Sequence, residues 1–481
     1  MKRKKHSIPP ARVSQRCNKA KGKVVDDETL NHLLCPYFDN IPSHLIAQIL
    51  LQLPIKSLLI CKCVCKMWKT LISEPHFAKL HFQKTPSSLM IRTNDRRQVS
   101  RTLYLLECEP EKFEIGSDNH VKLQPFKLPL CYTNSFGEKR NKIKNKSKCP
   151  LRGKRSVLDK NGESSNYIDS KPDLDKFNIV NSCNGLLCLT DLFIEIVICN
   201  PVTGEFIRLP GVTIHPFRLN KTRVRKIQQQ IALGFLPKTN EYKVIKMLIR
   251  YVEHRNDWVL ECVIVEINTL GTPSWRNVEV DSQVSISCLK YPTCVNGALH
   301  WIGFEGRQRS ILCFCLESER FKSFPSPPHV FENHNNTTRD NTNITMGELK
   351  GFLYVCDSTF FSDVTMWVMN EYGNGESWTK LYSIDTLVNS VGSPDLSRYP
   401  DLSRYGLCLP IKHFEEGAAI FLFHSRNRFI YYDPEKYGFK VFQIHGSRSN
   451  FVEIIPHIPS LISLKDVVKG DNIKVLNIHS R

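Results

Sequence analysis

Ile196-Val197-Ile198-Cys199-Asn200-Pro201-Val202-Thr203-Gly204-Glu205-Phe206-Ile207-Arg208-Leu209-Pro210 is an apolar run, a polar turn and a second run that ends at a proline. The same plan returns downstream. Val263-Ile264-Val265-Glu266-Ile267-Asn268 leads to Trp275, and Cys313-Phe314-Cys315-Leu316-Glu317 leads to Phe321 and Phe324-Pro325. Trp367-Val368-Met369-Asn370 leads to Trp378, and Ile430-Tyr431-Tyr432-Asp433 leads to Phe439 and Val441. The turn residues 200, 268, 317, 370 and 433 are spaced by 68, 49, 53 and 63. A second element precedes some of these runs: Asn184-Gly185-Leu186-Leu187-Cys188, Asn296-Gly297-Ala298-Leu299-His300-Trp301 and Lys350-Gly351-Phe352-Leu353-Tyr354. Each places a glycine, which tolerates positive φ, at a tight hairpin turn.

Two such hairpins make a four-strand unit, and a repeat near 50 residues of this kind is similar to a kelch-like propeller blade. With the polar segments 131–176 and 329–345 set aside, the chain from residue 85 has room for about six or seven blades. Phe451-Val452-Glu453-Ile454-Ile455-Pro456 and Leu461-Ile462-Ser463-Leu464 are candidates for the element that closes the ring.

Outward from this β-rich region, residues 39–83 form a compact apolar segment. Leu45, Ile46, Ile49, Leu50 and Leu53 recur at helical spacing. Pro42 suits a first helical turn, and Pro54 stops the helix because the residue before a proline is pushed out of helical geometry. A second helix carries Leu58, Leu59 and Val64, and a third carries Trp68, Leu71 and Ile72. Three short helices bury too little surface to be stable alone. Their excess of apolar residues predicts a surface handed to another protein. Packing on the rest of the same chain is the alternative.

Ile41-Pro42-x-x-Leu45-Ile46-x-x-Ile49-Leu50-x-x-Leu53-Pro54-Ile55-Lys56-Ser57-Leu58, followed by Cys63-Val64-Cys65-Lys66-x-Trp68, resembles an F-box. Ile41 departs from the leucine usual in that family but keeps its size and character. The resemblance implies docking to the Skp-family adaptor of a cullin/RING ubiquitin ligase through Ile41, Pro42, Leu45, Ile46, Ile49, Leu50, Leu53, Pro54, Leu58, Leu59, Val64 and Trp68. The β-rich region resembles the plant F-box-associated interaction domain through residues 182–188, Cys199-Asn200-Pro201-Val202-Thr203-Gly204-Glu205, 233–244 and 295–301. The basic inserts and the tandem copies at 394–399 and 400–405 look like departures from that pattern. The expected fold class is α+β multidomain, a small three-helix F-box followed by an all-β kelch-like β-propeller. The expected organisation is a basic disordered tail at 1–36, an F-box at 37–83, a propeller-like domain at 85–465 and a C-terminal tail at 466–481.

The 481-residue chain has a formal charge of +19, and 41% of its residues are hydrophobic. It has no run of 18 apolar residues, so no membrane-spanning helix is expected. The basic start is followed by no apolar segment, so no secretory signal is expected and the chain reads as soluble and intracellular. Residues 1–24 and 139–155 each hold nine Lys/Arg and no acid, almost the whole net charge. These stretches suggest nuclear import, hence a nuclear and cytoplasmic location, or solvated polar segments. They also support the alternative reading, a non-ligase nuclear scaffold that contacts nucleic acid or chromatin.

None of the 18 cysteines lies in a C-x-x-C pair, and several sit inside apolar runs as packing residues. No metal site and no cofactor are expected. The chain has no P-loop, H-E-x-x-H, G-x-S-x-G or G-x-G-x-x-G, so no catalytic residue is nominated. His300 reads as a satisfied histidine at a blade edge. Trp275, Trp301, Trp367 and Trp378 read as packing between adjacent sheets. The expected role is therefore a non-catalytic adaptor that presents an unidentified protein target for ubiquitination.

Overall fold

The computed structural model describes residues 41–95, 98–107, 120–121, 126–127, 177–191, 195–210, 225–254, 257–281, 286, 289–305, 308–331, 344–358, 363–385, 408–413, 420–424, 428–433, 438–444, 451–470 and 473–477. The basic tail, the insert 131–176 and the tandem 394–405 fall outside them.

Four helices open the described chain, not three: α1 (Ser43–Leu50), α2 (Ile55–Cys61), α3 (Lys66–Ser73) and α4 (Pro75–Lys84). The extra break has a local cause. Glu74, preceding Pro75, is extended at φ −67° and ψ 134°, which ends α3. Pro75, with φ preset and no N–H to satisfy, starts α4. Pro42 stands at the N-cap of α1, one position before the helix, with its carbonyl accepting the Leu45 N–H at 2.9 Å.

Among the described residues the strands make six sheets. The first contains Phe451–His457, Ser88–Asp95, Gln98–Glu107 and Phe126–Lys127 in that spatial order. The second is Phe177–Cys183, Leu186–Asp191, Ile196–Asn200 and Glu205–Arg208, with Leu476–Asn477 on its outer edge. The third is Arg225–Leu236, Glu241–His254, Asp257–Thr269 and Arg276–Val278. The fourth is Lys290–Val295, Ala298–Glu305, Gln308–Cys315 and Arg320–Phe324. The fifth is Ile344–Leu349, Phe352–Asp357, Asp363–Met369 and Trp378–Asp385. The sixth is Cys408–His413, Ile420–His424, Arg428–Asp433 and Gly438–Ile444, flanked by His120–Val121 in parallel.

Adjacent sheets pack face to face, and the period-two alternation of each strand divides its side chains between two neighbours. Val197 and Cys199 join the core shared with the first sheet, while Ile196 and Ile198 join the core shared with the third. Leu299 and Trp301 face the third sheet, and Ala298 and Ile302 face the fifth. A strand buried on both faces needs apolar residues at every position, which explains the continuous runs in the sequence.

Side chains tie each sheet to the next. Near the axis, Ser182 Oγ lies 2.8 Å from His457 Nδ1. The Asn181 amide exchanges two hydrogen bonds with the Leu233 backbone, at 2.8 and 3.0 Å. Cys294 Sγ accepts the Phe235 N–H at 3.3 Å, and the Tyr354 hydroxyl donates to the Pro410 carbonyl at 3.3 Å. Toward the outside, Trp275 Nε1–H donates to the Pro210 carbonyl at 2.9 Å, and Trp378 Nε1–H donates to that of Pro325 at 3.2 Å. The aromatic and the proline in the repeated plan are thus donor and acceptor of one bond between consecutive sheets.

The first sheet is completed by the chain's late strand. Phe451–His457 pairs antiparallel with Ser88–Asp95, immediately after α4. Asn200, fully buried, holds the segment that follows. Its amide donates to the carbonyls of Ser460 at 2.9 Å and Ile462 at 2.8 Å, and its Oδ1 accepts the Val202 N–H at 2.8 Å. Glu205 accepts from Ser463 Oγ and from the Leu464 N–H at 3.0 and 2.7 Å. The Asn-Pro-Val-Thr-Gly-Glu stretch is therefore the latch of the ring.

Two expected boundaries differ. Residues 466–481 are not simply a tail: a short helix, Leu464–Val467, buries Leu464 and Val467, and Leu476–Asn477 extends the second sheet. The polar composition of 465–474 hides these few apolar anchors. At the edges of the segment 329–345, Val330 and Phe331 are buried and Ile344 and Thr345 start a strand, so the polar stretch is shorter than expected.

Candidate docking face of the N-terminal helices

The helices are seated on the sheets by one face. Ile46, Leu50, Ile55, Leu58, Ile72 and Phe77 form a continuous core with residues of the first two sheets, including Met90, Leu187, Val197 and Phe206. His81 in α4, itself buried, reaches back to the end of α1, where Nε2–H donates to the Leu53 carbonyl at 3.0 Å. Its Nδ1 lies 3.1 Å from Thr85 Oγ1. Burial pushes the His81 pKa down, opposed by the bond to Leu53. Lys62, at the end of α2, has its pKa lowered by burial while the carboxylate of Glu205 draws it up, so the latch and the helices meet there. Cys65 caps α3, its Sγ accepting the Trp68 N–H at 3.5 Å.

The opposite face is unpartnered among the described residues. Leu45 (42% exposed), Ile49 (61%), Ile60 (61%), Val64 (54%) and Met67 (39%) are large apolar side chains left in solvent. The described residues expose nine such side chains, and these five fall within 23 positions of sequence, which marks a patch rather than scatter.

The twelve residues expected to dock a partner therefore divide. Pro42, Leu45, Ile49, Pro54 and Val64 are exposed; Ile41, Leu53, Leu59 and Trp68 are half-buried; Ile46, Leu50 and Leu58 are buried against the chain's own core. Packing on the same chain, foreseen as the alternative for the excess apolar residues, accounts for Ile46 and Leu50, while Leu45 and Ile49 of the same helix stay exposed. Ile60 and Met67 belong to the exposed set and were not anticipated. Ile60 lies two positions beyond the inward Leu58, and Met67 sits beside Trp68 at the start of α3, so their spacing from buried neighbours was the available signal.

The remaining candidates resolve as packing. His300 lies fully buried between the fourth and fifth sheets, not at an edge. Its Nδ1 is 3.3 Å from the Thr293 carbonyl and its Nε2 is 2.9 Å from the Tyr372 hydroxyl, while burial pushes its pKa down to about 4. Trp301 and Trp378 are buried, and Trp275 and Trp367 pack against the cores beside them. Cys183, Cys188, Cys199, Cys313 and Cys356 are buried free thiols. Burial alone pushes the Cys188 pKa well up. Among the described residues no three His, Cys, Asp or Glu side chains gather where they could hold a metal, and no helix is long and apolar enough to cross a membrane.

A helical module with one face fused to a ring of sheets and the other face bare matches two family models. The F-box domain covers residues 38–80, and the F-box associated beta propeller domain covers residues 155–466. The chain belongs to the F-box proteins that carry an F-box associated β-propeller domain. It is 25% identical to the Arabidopsis thaliana F-box protein At3g07870 over 442 residues, spanning 87% of this chain and 90% of that one. It is 24% identical to the A. thaliana F-box/kelch-repeat protein At3g23880, over 76% of this chain and 84% of the relative.

Proposed function

We propose that the protein is the substrate-recognition adaptor of an SCF-type ubiquitin ligase. The F-box helices dock a Skp-family subunit through Leu45, Ile49, Ile60, Val64 and Met67, with Pro42 and Pro54 beside them. The six sheets act as six blades that present a protein target. The chemistry belongs to the ligase, and this chain supplies proximity. A nuclear and cytoplasmic location, set by the basic stretch 1–24, is part of the same proposal. The observation that carries the reading is the bare apolar face on helices whose other face is locked to the blades.

Co-expression of the full chain with a Skp-family partner, followed by size-exclusion chromatography, tests it. Wild type co-elutes with the partner, and Ile49→Asp and Val64→Asp do not, because a central apolar anchor in such an interface contributes about 2 kcal/mol or more. Leu50→Asp serves a different purpose. Leu50 is 2% exposed, so this variant places a carboxylate in the shared core and unfolds the helices. Co-elution that survives both Ile49→Asp and Val64→Asp refutes the docking face.

A further inference from the structure

A cavity of about 990 Å³ lies where α4 meets the turns at one end of the ring. Asn184, Pro237, Asn240, Lys350 and Gly351 line it, so the turns joining the first two strands of the second, third and fifth sheets converge there. Phe82 of α4, Phe235, Leu349 and Ile462 supply apolar wall. The volume lies in the range of about 300–1,000 Å³ in which proteins hold discrete ligands.

Glu348, on the innermost strand of the fifth sheet, is the telling residue of that lining. Its carboxylate accepts the Gly351 N–H at 2.5 Å, and no lysine or arginine among the described residues pairs with it. Burial draws its pKa up, and the two lysines of the same lining, Lys79 and Lys350, are exposed. Its field falls instead on Cys183, Cys294 and Tyr354, none of them cationic. A half-buried carboxylate behind an apolar wall is complementary to a cation carried on a methylene stem. At the rim, Gly351 has open space where a side chain would stand, which leaves room for a second backbone to approach.

We propose that this cavity is the pocket in which a lysine or arginine side chain of the protein target is recognised, with Glu348 as its counter-charge. The proposal rests on the adaptor reading and names the recognition site within it. Because α4 forms one wall, the bound side chain touches both the F-box module and three blades. The target is therefore held at a fixed distance from the docked Skp subunit.

The test uses the full chain, alone and with a Skp-family partner, and a phage-displayed library of random heptapeptides. Enriched peptides share a lysine or arginine, and the best of them is measured by fluorescence anisotropy. Glu348→Gln, which keeps shape and removes charge, weakens that peptide about tenfold or more, the usual weight of a charge-assisted hydrogen bond. Lys79→Trp fills the cavity from the exposed side of α4 without touching Glu348, and has the same effect even if Glu348→Gln misfolds. Acetylating the peptide lysine reproduces the loss. Enriched peptides without a basic residue, or with affinities within twofold across both variants, overturn the proposal. Spermine bound in a Glu348-dependent way with no peptide enriched assigns the pocket to a free amine and also overturns it. Skp co-elution is scored separately. Its loss with Glu348-dependent peptide binding retained sinks the adaptor reading alone; its retention with Glu348-independent peptides sinks the pocket alone.

Discussion

Replacing Asn200 by alanine tests whether the ring is latched as described. The side chain is fully buried and satisfies the carbonyls of Ser460 and Ile462 and the N–H of Val202, with a further contact from the Thr203 N–H at 3.3 Å. Alanine leaves two buried groups, the Ser460 carbonyl and the Val202 N–H, without partners. The half-buried Ile462 carbonyl can turn to water. At about 1–3 kcal/mol for each of the two buried orphans, the loss is about 2–6 kcal/mol. That is a large part of the roughly 5–15 kcal/mol by which a domain is stable. The loss is local: the segment 458–470 opens before the blades do. A free-energy change of that size raises the opening equilibrium by about one and a half to four orders of magnitude. Hydrogen–deuterium exchange across 458–470 reads this directly, and limited trypsin digestion reads it through cleavage at Lys465 and Lys469. Asn268→Ala is the matched control, because Asn268 is equally buried but donates only to Thr272 and Ser274 in its own turn. If Asn200→Ala exchanges like wild type over 458–470, or no faster there than Asn268→Ala, the latch does not exist.

Stability falls on mild acidification. Burial holds His300 at about 4 and His457 at about 3, both below the ordinary value near 6.5, so the unfolded chain binds protons that the folded chain refuses. Their contribution is complete above about pH 6.5 and is lost as pH falls toward those values, on the order of 2 kcal/mol per histidine between pH 7 and pH 5. Thermal melts that are flat over that interval contradict it. Gly271 has φ +104°, and a Cβ there would stand 1.9 Å from the Lys469 carbonyl oxygen. Gly271→Ala is expected to cost about 2–4 kcal/mol and to loosen 464–470. Gly351→Ala, at φ +87° with nothing within 4 Å, costs about 1 kcal/mol, and equal melting temperatures for the two variants would refute the contrast.

Local chemistry made the turns legible. Asn184-Gly185, Asn296-Gly297 and Lys350-Gly351 all adopt positive φ at both positions, as hairpin turns of this type require. The double-sided burial of the strands was written in their unbroken apolar runs. What was not legible depends on tertiary placement. Leu45, Ile46, Ile49 and Leu50 cover more than one face of α1, and composition alone does not say that Ile46 and Leu50 turn toward the first two sheets. The anchors Val467 and Leu476 sit in two-residue apolar pairs, Val467-Val468 and Val475-Leu476, too short for any periodicity to announce them. The pocket around Glu348 draws on α4, three separate turns and the closing segment, and no single stretch of sequence contains it.

The late position of the closing strand has a consequence for biosynthesis. Phe451–His457 must pair with Ser88–Asp95, more than 350 residues earlier, and that first sheet is one of the two against which the F-box helices rest. At about 5–20 residues per second, a ribosome spends roughly 20–70 s between the two strands. Through that interval the F-box helices wait beside a sheet without its innermost strand. A nascent or prematurely terminated chain thus lacks a complete seat for its F-box helices.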